Sequence, residues 1–193
     1  MKIRLRPIPV FCLPGLLGIF GLLSACQTPA RELASMVDAN RRDLSALEGT
    51  AGLGVGVHRR VARRVQRARE LVAGERPASP EACLDGARLL VRSDRAADLA
   101  LAEELGLLAA EGGLQVALHI VAEAVDRQLL IGDRPQRFGT VFVWVPVLKE
   151  WRLYDMDPLT TDADREAMGV PSYRELLDRE KTLNGDKWKD RIR

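Results

Sequence analysis

The chain has few of the residues and motifs on which most enzyme active sites depend. Its 193 residues include only three cysteines and two histidines, and aromatic residues make up 5%. It contains no Gly-x-Ser-x-Gly, no Cys-x-x-Cys and no phosphate-binding loop. Ser79, Ser93, Thr161 and Ser172 each precede a predicted helix, where a hydroxyl serves as a cap. The sequence therefore predicts no nucleophile, cofactor or metal site.

The three cysteines exclude an intramolecular disulfide in the processed chain. Cys12 lies in an apolar N-terminal run, Cys26 lies at its end, and Cys83 is alone in the rest of the sequence. Cys83 falls among apolar residues of a predicted helix and has no basic residue or histidine beside it. We expect it to be an inert buried thiol.

The N-terminus has the order of parts of a secretory signal. Lys2, Arg4 and Arg6 precede an apolar run over residues 8–23, which ends at Leu23-Ser24-Ala25-Cys26. This ending resembles the lipobox of bacterial lipoproteins. The resemblance implies a signal peptide over 1–25, lipidation of Cys26 and a short tether over 26–29. The alternative is an ordinary cleaved signal with an incidental cysteine.

The resemblance also predicts a location. An aspartate after the lipidated cysteine usually retains Gram-negative lipoproteins in the inner membrane, and this chain has Gln27 there. We therefore expect a lipid-anchored protein of the cell envelope, at the outer membrane. Removing the leader, with its three basic and no acidic residues, changes the formal charge from +2 to −1. That balance gives no argument for nucleic acid as a partner.

Hydrophobic periodicity after the tether predicts one mostly helical domain over 30–183 and a charged flexible tail over 184–193. Thr140–Val145 and Trp151–Tyr154 are instead β-branched and aromatic and are separated by a turn, which predicts a β-hairpin. The fold class is therefore mainly α, with one hairpin packed against the helices, since a lone hairpin is marginal in water. Helices are predicted over 30–48, 57–73, 80–92, from Ser93 or Asp94 to 111, 114–130, 162–168 and 172–182.

One predicted helix carries an unusual number of arginines. Opposite a stripe of valines, its second face presents Arg59, Arg60, Arg63, Arg64 and Arg67. If they project together close to the lipid tether, they could contact anionic lipid headgroups, peptidoglycan carboxylates or an acidic envelope protein. The alternative is a solvated face of an amphipathic helix.

A segment from about Leu89 to Leu177 resembles an uncharacterised bacterial family, a domain of unknown function. The most specific match is Asp126-Arg127 followed by Pro135-Gln136-Arg137-Phe138-Gly139-Thr140. Weaker matches are Asp157-Pro158 with Asp164-Arg165 and Gly169-Val170-Pro171, and Val91–Asp94, where Arg92 stands at the family's histidine. The resemblance implies a mostly helical fold with one hairpin and implies no activity.

Four polar residues are the candidates for ligand binding: Asp126, Arg127, Gln136 and Asp94. Arg127 could bind a carboxylate or phosphate, or an Asp126–Arg127 ion pair could pin the helix to the hairpin. Gln136 could bind a substrate or satisfy loop backbone groups. His119, Glu123 and Asp126 share a helical face, but without a second histidine nearby we expect no metal.

Two functions follow from these residues. The first is a non-enzymatic envelope lipoprotein that serves binding or structure. The second is an enzyme with a polar cleft around Asp126, Arg127 and Gln136, acting on a phosphate- or carboxylate-bearing substrate. Side chains that converge unpaired on a cleft would favour the enzyme, and mutual saturation would favour the scaffold.

Overall fold

The computed structural model describes residues 28–45 and 54–185. The leader, Cys26 and residues 186–193 lie outside this range, so the predictions made for them stay predictions. Within it, the mainly α fold with one hairpin is confirmed. The elements are α1 Pro29–Ser45, α2 Val55–Gly74, α3 Pro80–Leu90, α4 Ala96–Glu111, α5 Ala117–Ile131, β1 Phe142–Val145, β2 Glu150–Leu153, α6 Asp162–Ala167 and α7 Tyr173–Asn184.

Helix α3 is the centre of the helical core. It packs against α1, α2, α4 and α5, and most of its side chains are buried because apolar residues lie on nearly every face. Cys83 belongs to this core at 4% exposure, and burial raises the pKa of its thiol, which confirms the prediction of a buried cysteine. Among the helices of residues 28–45 and 54–185, none is both long and apolar enough to cross a bilayer.

The helix starts follow the capping signals at three positions and depart from them at one. Ser79 caps α3, and Thr161 and Ser172 form capping boxes at α6 and α7. The prediction that Ser93 or Asp94 caps α4 is wrong, because the cap position is Arg95, without a side-chain hydrogen bond. The Ser93 hydroxyl instead accepts from the Arg95 amide and donates to the Asp98 carboxylate at 2.6 Å.

The hairpin is antiparallel, and α7 holds one of its strands. Phe142 pairs with Leu153, and Trp144 lies opposite Trp151 in an edge-to-face contact. Along β2, the Leu153 amide donates to the Glu180 carboxylate of α7 at 2.7 Å. Thus polar side chains of α7 satisfy backbone groups that a lone hairpin would leave to water.

A buried ion pair joins α2 to α4 and predicts a pH-dependent stability. Asp98 is 3% exposed and accepts two hydrogen bonds from Arg69, at 2.8 and 2.5 Å. Arg69, and secondarily Ser93, hold the pKa of Asp98 below its usual range despite burial. Because the folded-state pKa is lowered, this stabilisation is complete above the unfolded pKa of about 4 and is lost as pH falls through the folded pKa.

We therefore expect Asp98→Asn to lower the free energy of unfolding by about 2 kcal/mol at pH 7, since one charge-assisted bond and its Coulomb attraction are lost. The difference from the native chain should shrink as pH falls below about 4. Urea denaturation at several pH values measures this, with the exposed Asp133→Asn as control. A difference that is constant with pH would contradict the assignment.

Candidate functional site

The Asp126 carboxylate of α5 holds the loop that leads into β1. Asp126 is fully buried, and its Oδ1 accepts from the backbone amides of Arg137 and Phe138 at 2.7 and 2.8 Å. Its Oδ2 accepts from the amides of Gly139 and Thr140, both at 2.9 Å, and from the Thr140 hydroxyl at 2.8 Å. Five donors therefore converge on one carboxylate, which is how a charge is stabilised away from water.

The Gln136 side chain closes the other side of the same loop. Its Oε1 accepts from the Val141 amide at 2.9 Å, and its Nε2 donates to the carbonyls of Val141 and Tyr154 at 3.1 and 3.0 Å. The backbone amide of Gln136 donates to the Asp155 carbonyl, and the Gln136 carbonyl accepts from the Asp157 amide. These two hydrogen bonds form a parallel bridge to the chain beyond β2. Gln136 is fully buried, so its amide satisfies loop backbone groups, one of the two roles considered for it.

Arg127 does not pair with Asp126, and the expected Asp126–Arg127 ion pair is wrong. Adjacent residues of a helix point about 100° apart, so Asp126 faces the loop while Arg127 faces Glu123, one turn earlier. The Arg127 Nη1 lies 3.8 Å from Glu123 Oε1, and the Nη1 of Arg92 lies 3.0 Å from the same oxygen. We call these three residues the Arg92–Glu123–Arg127 cluster.

The four sequence candidates therefore do not form one site. Asp126 and Gln136 organise the loop, Arg127 belongs to the Arg92–Glu123–Arg127 cluster, and Asp94 is exposed. Burial is the main cause that lowers the pKa of Arg127. The Glu123 carboxylate opposes this shift, Arg92 adds to it, and Asp94 weakly opposes it. The i, i+4 spacing of Glu123 and Arg127 is the one signal in the sequence that points to their pairing.

The arginine face is largely paired with α1, which corrects the expectation that its charges are exposed together. Arg60 and Arg64 both bind Asp43 at 2.7 Å, and Arg67 binds Glu32 at 2.7 Å. Arg60 and Arg64 hold the pKa of Asp43 far below its usual range. The face still lines a shallow groove of about 210 Å³. Its lining is Met36, Arg60, Arg63, Arg64 and Arg67.

Arg59 and Arg63 are the two exposed arginines of this face that make no ion pair with the part of the chain that the structure describes. They are therefore the members available to a partner. By contrast, no three histidine, cysteine or acidic residues in residues 28–45 and 54–185 are grouped to hold a metal ion. His119, Glu123 and Asp126 do not converge, because Asp126 is turned to the loop and Glu123 to the arginines.

Comparison with known proteins adds no relative. No family model, no curated protein and no solved structure matches the chain. The resemblance of the segment around Asp126 and residues 135–140 to an uncharacterised family therefore stays a prediction.

Proposed function

We propose that the protein is a lipid-anchored lipoprotein of the bacterial envelope, at the outer membrane, whose helical domain serves binding or structure. The observation that carries the proposal is the sequence Leu23-Ser24-Ala25-Cys26 and its distance from the folded domain. Two residues separate Cys26 from the start of α1 at Pro29. At about 3.5 Å per residue, the anchor would lie within about 11 Å of α1.

The charge distribution supports the membrane as the partner of α1 and α2. Helix α2 has six arginines and one glutamate, and α1 has three basic and three acidic residues, so the two helices carry five net positive charges. The remainder of the chain after Ala25 carries six net negative charges. Juxtamembrane basic residues are attracted to anionic lipid by about 1 kcal/mol each. This polarity would orient the α1–α2 pair toward an anionic surface and the acidic remainder away from it.

The pairing within the face limits which residues make this contact. Asp43 is shared by Arg60 and Arg64, so the three salt-bridged residues still carry one net positive charge. Arg59 and Arg63 are exposed and contribute their full charge. The contact would thus be electrostatic and would depend mainly on Arg59 and Arg63.

We expect the chain from Gln27 onward, which lacks the lipid, to co-sediment more with anionic than with zwitterionic vesicles at low salt. Exposed charges are screened beyond about 8 Å at physiological ionic strength, so binding should weaken with salt. Arg59→Gln/Arg63→Gln should reduce binding several-fold. Arg134→Gln/Arg174→Gln, which removes two other exposed arginines, should not. Equal binding to anionic and zwitterionic vesicles would mean that the arginines form only a solvated face and do not contact anionic lipid.

We expect Cys26→Ser to release the protein from the membrane fraction or to leave it as an unprocessed precursor. The reason is that acyl chains contribute about 0.8 kcal/mol per buried methylene and no other anchor is predicted. Cys12→Ser, which changes the cysteine inside the leader, should process and partition normally. Fractionation and immunoblotting measure both variants. Normal processing and membrane partitioning of Cys26→Ser would refute the lipid anchor.

The alternative, an enzyme with a cleft at Asp126, Arg127 and Gln136, has less support. The side-chain oxygens of Asp126 and Gln136 already accept hydrogen bonds from the loop backbone and from the Thr140 hydroxyl. A carboxylate that accepts five internal hydrogen bonds is a poor general base or ligand. Of the three residues, only Arg127 keeps donors that a bound molecule could use.

A further inference from the structure

Two guanidinium groups share a single carboxylate where the end of α3 meets α5. Arg92 Nη1 and Arg127 Nη1 lie 3.0 and 3.8 Å from the same oxygen of Glu123. The side chain of Glu123 is 11% exposed, whereas those of Arg92 and Arg127 are 39% and 31% exposed. The carboxylate is therefore enclosed, and the two cations border the solvent. The three residues together carry one net positive charge.

Arg127 is incompletely paired compared with other arginines of the chain. Arg69 and Arg60 bind their aspartates through two nitrogens at 2.5 to 3.1 Å. The Arg127 side chain makes no hydrogen bond to any residue within 28–45 and 54–185, since its 3.8 Å approach to Glu123 is too long for one. A half-buried guanidinium whose fork has no acceptor is suited to an external one.

We infer that Arg92 and Arg127 form a binding site for a small oxyanion, a carboxylate or phosphate group, beside Glu123. Both guanidinium groups reach one oxygen, so their Nη1 atoms lie within about 7 Å, a gap that two oxygens of one anion can bridge at about 2.8 Å from each nitrogen. Glu123 holds the two cations together, and the net positive charge favours an anion over a cation.

This inference deepens the proposed binding role by naming its ligand class, and it does not depend on lipidation. The ¹⁵N-labelled protein, with its anchor, is solubilised in detergent and titrated with sodium phosphate or sodium acetate. Sodium chloride keeps the ionic strength constant. We expect a saturable shift of the Nε–H signals of Arg92 and Arg127. Saturation by phosphate alone, acetate alone or both identifies the group that is bound. If neither anion shifts these signals, the proposed site is refuted.

Variants separate this site from general attraction of anions. Arg127→Gln should raise the dissociation constant at least five-fold, since one of the two forks is removed. Arg134→Gln, at an exposed arginine outside the cluster, should leave it unchanged. Glu123→Gln keeps a side-chain oxygen that can accept from Arg92 but removes the internal negative charge, so it should lower the dissociation constant several-fold, a gain that loss of folding cannot imitate. Equal affinity in native protein, Arg127→Gln and Glu123→Gln would overturn the inference. Such a failure would leave the results with Cys26→Ser unaffected.

Discussion

Replacement of Asp126 by asparagine is expected to lower the free energy of unfolding by about 3–5 kcal/mol, the cost of breaking a buried charged network. The asparagine NH₂ group would face two or three donors that now point at a carboxylate oxygen. Donors left without an acceptor in a buried site each cost about 1–3 kcal/mol. Urea denaturation monitored by circular dichroism measures the loss of unfolding free energy.

Two further variants calibrate this result. Thr140→Val removes one of the five donors and leaves the Asp126 carboxylate with the other four, so we expect a loss of about 1 kcal/mol. Asp155→Asn changes an exposed aspartate next to the same loop and should stay within about 0.5 kcal/mol of the native chain. If Asp126→Asn were as stable as Asp155→Asn, the carboxylate would not hold the loop, and a functional role for Asp126 would be favoured.

Gly139→Ala is expected to cost about 2–4 kcal/mol through two separate effects. Gly139 has φ of +90°, a conformation that side chains with a Cβ rarely adopt. A Cβ there would also lie 2.4 Å from Leu176 Cδ1 and 3.2 Å from Met156 Sδ. Leu176 is 2% exposed, so it has little space into which to move.

The chain offers a matched control for the backbone effect. Gly113 has φ of +97°, and an added Cβ would meet nothing within 4 Å. Gly113→Ala should therefore cost only the conformational part, about 1 kcal/mol. Thermal or urea unfolding of both variants gives the difference that belongs to the contacts with Leu176 and Met156. Equal losses would mean that the loop shifts freely and does not pack on α7.

Local signals predicted the elements, because their causes lie within a few residues. Ser79 followed by Pro80, and the boxes that begin at Thr161 and Ser172, mark helix starts that the structure contains. The start of α4 was missed because the Ser93 hydroxyl makes two other hydrogen bonds. It accepts one from the Arg95 amide and donates one to the Asp98 carboxylate. Only the second depends on tertiary structure, through the pairing of Asp98 with α2.

The arginine face shows the limit of reasoning from periodicity. The spacing of the valines correctly indicated which side of α2 is buried, with Val65 and Val72 in the core. It could not indicate that α2 packs alongside α1 with Arg60 opposite Asp43, because these two residues are 17 positions apart in the sequence. A helical wheel shows which residues share a face and contains no information on what packs beside that face.

The candidate site was predicted in part for the same reason. Asp126 and Gln136 were found from a short signature, and their saturation by backbone amides requires the loop to fold over α5. Arg92 was known only as a departure from a resemblance. Its pairing with Glu123 spans 31 residues and depends on how α3 and α5 cross, so the Arg92–Glu123–Arg127 cluster could not be derived from sequence.

The proposed function depends on what happens to Cys26, and mass spectrometry of the N-terminal peptide tests it most directly. The protein would be expressed with its leader in a Gram-negative host, extracted from membranes and digested. We expect a peptide that begins at Cys26 and carries a diacylglyceryl group on sulfur and an acyl chain on the amine. A peptide that retains residues before Cys26, or one that begins elsewhere with an unmodified thiol, would contradict it.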